Sequence, residues 1–258
     1  MKYTHTIQAQ FLDRPNRFVA HVAIGSSVET VHVKNTGRCK ELLLPGTNVI
    51  LALSDNPKRK TRYDLISVYK KGIGWINIDS QAPNVVVREW LETRPRTFRN
   101  MTMIRPEYVY GNSRVDFYCE SGKQKILLEV KGCTLEMDGI GYFPDAPTER
   151  GVKHLKELTK AIWDGYECYI AFVIAMPGIT QVLPNAETHP EFAEALNEAV
   201  KAGVQILNLP CEVGPDYLFI HSLDDGVPRE NHHGPLSGAC GRGTDEPIQA
   251  VNHEKCNF

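Results

Sequence analysis

Long apolar runs are missing from this chain of 258 residues. None approaches the roughly 20 residues needed to cross a bilayer. The longest, around Tyr169–Met176 and Asn48–Leu53, have the length of single strands. The polar start, Met1–Arg17, lacks the basic-then-apolar order of a secretory signal, so export by that route is not expected. Cysteine pairs at zinc-knuckle or redox spacing are absent as well. The seven cysteines, at 39, 119, 133, 168, 211, 240 and 256, are odd in number and include no C-x-x-C. Reduced, mostly buried thiols in a cytoplasmic protein are the expectation. Internal repeats are absent, and no helix-turn-helix pattern is visible, which argues against operator reading. With 42% hydrophobic and 23% charged residues, the composition excludes a mostly disordered chain.

A strong excess of charge of either sign is also lacking, but the net −2 conceals a division. Residues 1–99 carry 16 Lys and Arg against 8 Asp and Glu, a balance of +8; the remainder carries 13 against 23, a balance of −10. A basic half of this kind suits a polyanion, although uneven surface charge arises without one.

Alternation and turn residues predict short strands at Arg17–Ile24, Glu29–Lys34, Asn48–Leu53, Arg62–Tyr69 and Gly74–Ile78, with Cys39–Leu44 the one helical candidate among them. Such spacing predicts a small β-barrel, with an OB-like barrel the natural candidate. The pattern changes near Asn84, where Val85–Glu92 and its basic continuation read as helix, interrupted at Pro95. Strands at Arg114–Tyr118, Lys125–Lys131, Thr134–Tyr142, Cys168–Met176 and Val204–Leu207 then mix with helices at Thr148–Asp164 and Pro190–Ala202, which indicates an α/β domain. The expected division is a barrel over 1–83, a mixed-sheet domain over 84–223 and a flexible tail over 224–258. The tail's His232, His233, Cys240, His253 and Cys256 match no structural zinc spacing, and no site is assigned there.

On a strand, Glu129 and Lys131 project to one face while Ile126, Leu128 and Val130 project to the other. The preceding strand divides the same way, Val115 and Phe117 opposite Arg114, Asp116 and Tyr118. A hairpin through Glu120–Gly122 would bring Asp116, Glu129 and Lys131 together. Two carboxylates supply hard oxygen ligands for Mg²⁺ or Mn²⁺, and the lysine can orient an attacking water or stabilise charge on a phosphodiester. Glu107, expected at the end of a helix, could add a third ligand. The same D…E-x-K pattern also arises as a solvated surface pair.

Five motifs occur in order: Arg14-Pro-Asn-Arg-Phe18, Asn35-Thr-Gly-Arg38, Gly111-Asn-Ser-Arg-Val-Asp-Phe117, Glu129-Val-Lys131, and Phe143-Pro-Asp-Ala146 followed by Thr148-Glu-Arg-Gly-Val-Lys-His-Leu155. Together they resemble the sugar fermentation stimulation protein A family from about residue 7 to about residue 215. The resemblance implies an OB-like N-terminal domain and a restriction-endonuclease-like C-terminal domain of PD-(D/E)xK type. It also implies bacterial DNA binding without strong sequence preference, linked to sugar (maltose) metabolism. The nuclease-like motif falls on Asp116, Glu129 and Lys131, with Glu107 as the helix acid. Val115 stands where the motif's name expects proline, a position that ligates nothing.

Arg14, Arg17 and Arg38 near barrel turns, and Lys58, Arg59, Lys60 and Arg62 in a dense basic loop, are candidates for phosphate contact. Arg150, Lys153 and His154 share a helix stripe with Glu157 and are candidates of the same kind, although Arg150 or Lys153 could simply pair with Glu157. The resulting expectation is a DNA-binding protein with a Mg²⁺- or Mn²⁺-dependent nuclease-like site. A binding protein or regulator without turnover, or an RNA-binding protein, are the alternatives.

Overall fold

Ile7, Ala9 and Phe11 alternate with polar residues in the stretch whose composition reads as merely polar. That period of two makes it a strand. It is β1 (Thr6–Asn16), the first of a barrel that continues with β2 (Val19–Ile24), β3 (Ser27–Val33), β4 (Asn48–Leu53) and β5 (Tyr63–Lys70). The computed structural model describes residues 1–220 apart from 36, 55 and 57, so the expected tail and its histidines and cysteines lie outside the described residues.

The barrel strands run in the order β3-β2-β1-β4-β5, and a parallel pairing of β3 with β5, His32 opposite Asp64 and Val33 opposite Leu65, closes the ring. Closure leaves no free edge. A further strand, β6 (Gly74–Asn77), pairs with β5 outside the ring. Five ring strands agree with the expected OB-like barrel, but the membership differs. The ring takes in β1, and the strand expected at Gly74–Ile78 is the outsider. Arg17 and Phe18 form the turn between β1 and β2 instead of starting a strand. Cys39–Leu44 makes turns instead of a helix, because Cys39 adopts left-handed backbone (φ 45°).

A second, mixed sheet follows α1 (Ala82–Glu92). It contains β7 (Met101–Tyr110), β8 (Ser113–Ser121), β9 (Gln124–Cys133), β12 (Glu167–Ile174), β14 (Gln205–Val213) and β15 (Leu218–Ile220), ordered β15-β14-β12-β9-β8-β7. Strands β9, β12 and β14 are parallel and the rest antiparallel. The expected single strand at Thr134–Tyr142 is a hairpin of β10 (Leu135–Met137) and β11 (Ile140–Phe143), joined by β13 (Val182–Pro184) in a small third sheet. The helical continuation expected to end at Glu107 is instead strand β7. Its Pro106 is tolerated because β7 is the edge of its sheet.

The faces of β9 divide as its alternation requires. Ile126, Leu128 and Val130 pack with Val86, Val87 and Leu91 of α1, whereas Leu127 and Cys133 join the core under α2 (Glu149–Trp163) and α3 (Pro190–Ala202). Thr148 caps α2 through a hydrogen bond from Gly151 N (3.0 Å). Strand β8 departs from strict alternation: Phe117 joins the α1 core, but Val115 joins the other. The cause is that β8 pairs with β9 only from Phe117, opposite Leu128, onward. Ahead of that point the two strands diverge.

The chain start belongs to the second domain. The Met1 ammonium donates to Leu218 O (2.7 Å), and Tyr3 N donates to Asp216 O (2.8 Å). The division expected between residues 83 and 84 falls in the first turn of α1. The thiols of Cys39, Cys119, Cys133, Cys168 and Cys211 are free and buried, and burial pushes each up to about 12. Among the described residues, no helix is long and apolar enough to cross a membrane.

Candidate active site

The divergence of β8 from β9 leaves a notch, and Asp116 on β8 lies near enough to Glu129 and Lys131 on β9 to feel their charges. Asp116 sits on the diverging part of β8. Its Oδ2 accepts from Val130 N (2.7 Å) across the gap, and its Oδ1 accepts from Asn84 Nδ2 (2.8 Å) in the first turn of α1. Glu129 projects from the opposite face of β9 toward α2. Its Oε1 accepts from Lys131 Nζ at 2.5 Å and from His154 Nδ1. The Glu129 side chain is 3% exposed, Lys131 14% and His154 8%, so an ion pair and its hydrogen-bonding partner are withdrawn from water together. A solvated surface pair would not be placed so.

Arg150 Nε lies 3.3 Å from His154 Nε2 on the far side of the ring. A carboxylate oxygen can only accept, so the proton between His154 and Glu129 sits on Nδ1 and the imidazole donates to Glu129.

Environment separates the two carboxylates. Burial pushes the Asp116 carboxyl above its usual range, and the negative charge of Glu129 adds to the rise; the Val130 amide, Lys131 and Asn84 offset only part of it. Burial acts on Glu129 in the same direction, but the hydrogen bond from His154 and the charge of Lys131 outweigh it, and the group is held below the usual range. One carboxylate is fully compensated and its neighbour is not. Carboxylates held apart in this way occur at catalytic centres and in structural ion-pair networks alike.

Two family models cover most of the chain: the SfsA N-terminal OB domain over residues 12–78, and the sugar fermentation stimulation protein RE domain over residues 81–217. The chain belongs to the sugar fermentation stimulation protein family. Among its relatives, the sugar fermentation stimulation protein homolog of Ruminiclostridium cellulolyticum is 54% identical over 85% of this chain and 96% of its own. That of Clostridium beijerinckii is 50% identical over 88% of this chain and 100% of its own. A solved structure of Pyrococcus furiosus SfsA in complex with Ca²⁺ superimposes with a TM-score of 0.76 at 30% identity, covering 86% of this chain and 96% of that one.

Within this family fold the remaining candidates fall into distinct settings. Glu107 lies on β7 between the pairs Pro106–Phe117 and Tyr108–Val115, hence across from Asp116. It is on no helix, and its carboxylate is exposed and turned to Arg114 (3.3 Å). The helix side chain that does reach Asp116 is Asn84, which sequence reasoning misses; the only local signal is a polar residue just after Pro83 at the helix start.

His154, expected to contact phosphate, is instead the buried partner of Glu129. Lys153 reaches back to Asn112 O (3.0 Å) in the β7–β8 turn, and Arg150 is exposed beyond its contact to His154. Arg14 is a clamp. Its Nη1 donates to Gly37 O (3.0 Å) and Arg38 O (2.9 Å), and its Nη2 to Arg17 O (2.8 Å) and Asn35 O (2.6 Å). With those four bonds made, its guanidinium has little left for phosphate. Arg59 is likewise engaged, with both terminal nitrogens on buried Asp64. Lys58, Lys60 and Arg62 are exposed, Arg62 lying over the Tyr63 ring at 5.3 Å. Arg17 stacks on the exposed Phe18 at 4.6 Å, and Arg38 is exposed.

Proposed function

We propose that this protein is a cytoplasmic, metal-dependent phosphodiesterase that binds DNA with little sequence preference and hydrolyses it at the Asp116–Glu129–Lys131 notch. The observation that carries this reading is a buried carboxylate, Glu129, and a half-buried one, Asp116, beside an ammonium where β8 leaves β9. Burying charge is costly unless something compensates it, and Asp116 remains under-compensated until a cation arrives.

The donor set fits Mg²⁺ or Mn²⁺. These ions take one or two carboxylates and complete their shell with water and substrate oxygens. Asp116 and Glu129 supply the carboxylates; among the described residues no group of three or more His, Cys, Asp or Glu is placed to hold a metal ion, so water and substrate oxygens would fill the remaining positions. Ca²⁺ in the complex of the Pyrococcus furiosus protein is a hard, oxygen-seeking cation of the same preference, which supports the assignment. When bound, such an ion lowers the pKa of water and neutralises charge on a phosphodiester.

The residues of the chain do the rest. Asn84 and the Val130 amide hold the Asp116 carboxylate in place. His154 and Lys131 keep Glu129 ionised. We assign Lys131, the least buried of the Glu129 group, the roles of orienting the attacking water and stabilising negative charge on the phosphoryl oxygens, which its partial exposure supports. The basic half-chain supplies the phosphate contacts, so affinity falls steeply as salt rises. We carry the link to sugar fermentation over from the relatives' name, as an effect exerted through bound nucleic acid.

The test is cleavage of labelled single-stranded, duplex and branched DNA, and of RNA, with Mg²⁺ or Mn²⁺, against chelator and an identically purified Asp116→Ala protein. Metal-dependent cleavage that vanishes in the variant establishes the activity. Binding without cleavage across the whole panel would make the protein a non-catalytic regulator, and a preference for RNA would reassign its polymer.

A further inference from the structure

Two cavities lie on the described residues, and neither is lined by Asp116, Glu129 or Lys131. The first, about 390 Å³, lies between the barrel and the second domain. Its floor includes Gly132, the neighbour of Lys131 on β9, and Ala175, just past the end of β12. These are the carboxyl ends of parallel strands, where open α/β sheets bind ligands. The second, about 310 Å³, runs over the barrel surface past Arg14, Arg17, Arg38 and Lys40. Arg17 and Gly37 line both, so the two cavities are neighbours across these residues.

We propose that these two cavities, neighbours across Arg17 and Gly37, form the path of one nucleic-acid strand, leading from the Gly132 end of β9 over the Phe143–Thr148 loop to the Arg17, Arg38 and Lys40 face of the barrel. The inference rests on the phosphodiesterase reading and narrows its substrate to single strands or the single-stranded parts of branched molecules.

Charge and size support the assignment. Among the described residues, no acidic partner pairs with the side chain of Arg17, Arg38 or Lys40. The acids of the groove wall are already engaged, Asp79 by Lys34 Nζ (3.0 Å) and Asp145 by Arg38 N (3.1 Å). Phe18 lines neither cavity, but next to Arg17 it is 46% exposed and carries that guanidinium over one ring face, which leaves the other face as a stacking surface of the kind strand-binding barrels use. A cavity of this volume is of small-ligand or nucleotide size. The paired bases and two backbones of an intact duplex need more room than one nucleotide of a single strand.

The probe is a labelled oligothymidylate of about twelve nucleotides, within the roughly 4–16 that one OB barrel covers. It is compared by fluorescence anisotropy with a blunt duplex of equal length, using full-length protein in chelator so that nothing is cleaved. The expected result is at least tenfold tighter binding of the single strand. Ala146→Trp, which fills the first cavity, and Arg17→Glu, on the exposed turn, should each weaken that binding about tenfold or more. Neither should change Mn²⁺ binding measured by calorimetry, and circular dichroism reports their folding. Equal or tighter binding of the duplex, or unchanged strand affinity in folded Ala146→Trp and Arg17→Glu, would overturn the path. So would a mononucleotide that binds as tightly as the oligomer, which would mark a small-molecule pocket. Strand binding through the groove with no Mn²⁺ uptake would sink the metal reading alone; no binding of either polymer would sink both.

Discussion

His154 donates from Nδ1 to Glu129 Oε1, a helix residue meeting a strand residue 25 positions earlier, with both side chains buried. Lys131 holds the same oxygen, and the two partners keep the Glu129 carboxyl below its usual range although burial acts to raise it. The imidazole is therefore a support for the carboxylate and is withdrawn from substrate phosphate.

Replacing His154 by alanine leaves Glu129 with one partner. We expect a loss of roughly 1–3 kcal/mol, the cost of leaving a buried polar group unsatisfied, read from urea midpoints at unchanged slope. The pH dependence has a definite sign. The folded pKa of Glu129 lies below its unfolded value, so its contribution is present above the ordinary glutamate range, about 4.3, and is lost as pH falls through the folded value. His154→Ala should shrink that acid-side loss. An unchanged stability–pH curve in the variant would count against the hydrogen bond.

Asp116 has the opposite sign. Its folded pKa is raised, so its ionisation opposes folding: stability is complete below the ordinary aspartate range, about 3.9, and declines as pH rises through the folded value. Asp116→Asn should therefore stabilise the metal-free protein at neutral pH, by roughly 0.5–2 kcal/mol as such relief commonly does, while abolishing Mn²⁺ binding. Thermal unfolding in chelator checks the first outcome and calorimetry the second. Lower stability at neutral pH would show that Asp116 is held as a structural acceptor.

Arg14 and Arg17 are close in sequence and separable in role. Arg14→Ala removes four bonds to carbonyls and should cost roughly 1.5–3 kcal/mol. Arg17→Ala should leave stability nearly unchanged and lower the salt dependence of single-strand binding by about 0.7 for each phosphate that is no longer neutralised. The reverse pattern, a reduced salt slope from Arg14→Ala in a fully stable protein, would return Arg14 to the phosphate-binding set.

Glu107 and Asn84 test which side chain serves Asp116. The Glu107–Arg114 pair is exposed on both sides and worth at most about 1 kcal/mol. Glu107→Ala should leave Mn²⁺ affinity within about twofold, a shift below 0.5 kcal/mol. Asn84→Ala should weaken it by more, since Asp116 loses the donor that orients it. Tenfold weaker Mn²⁺ binding in Glu107→Ala would restore that residue as a ligand.

Period-two alternation is a local property, so the two-faced character of β9 is legible in Ile126–Lys131 and places Glu129 and Lys131 side by side without any coordinates. The apolar stripe of α2 and the alternation of the barrel strands are legible for the same reason. Strand β7 is not, because Met101–Tyr110 carries a proline and little alternation; its strand state comes from pairing with β8, a contact that no window of the sequence contains. The basic residues show the same limit. Arg14, Arg17, Arg38 and Arg59 are alike as letters, and only the tertiary arrangement turns two of them onto carbonyls and a buried aspartate.

Local chemistry thus determined, from the sequence alone, which residue types could act and on which strand face they stand. The family motifs added the domain order. The tertiary structure decided the partners. It sent His154 to Glu129, set Asn84 in place of Glu107 beside Asp116, and opened the groove between barrel and sheet. The physical reason is distance along the chain. Hydrogen bonds and burial act over a few ångströms, and the residues they join here lie 25 to 32 positions apart, beyond the reach of any helical or strand period.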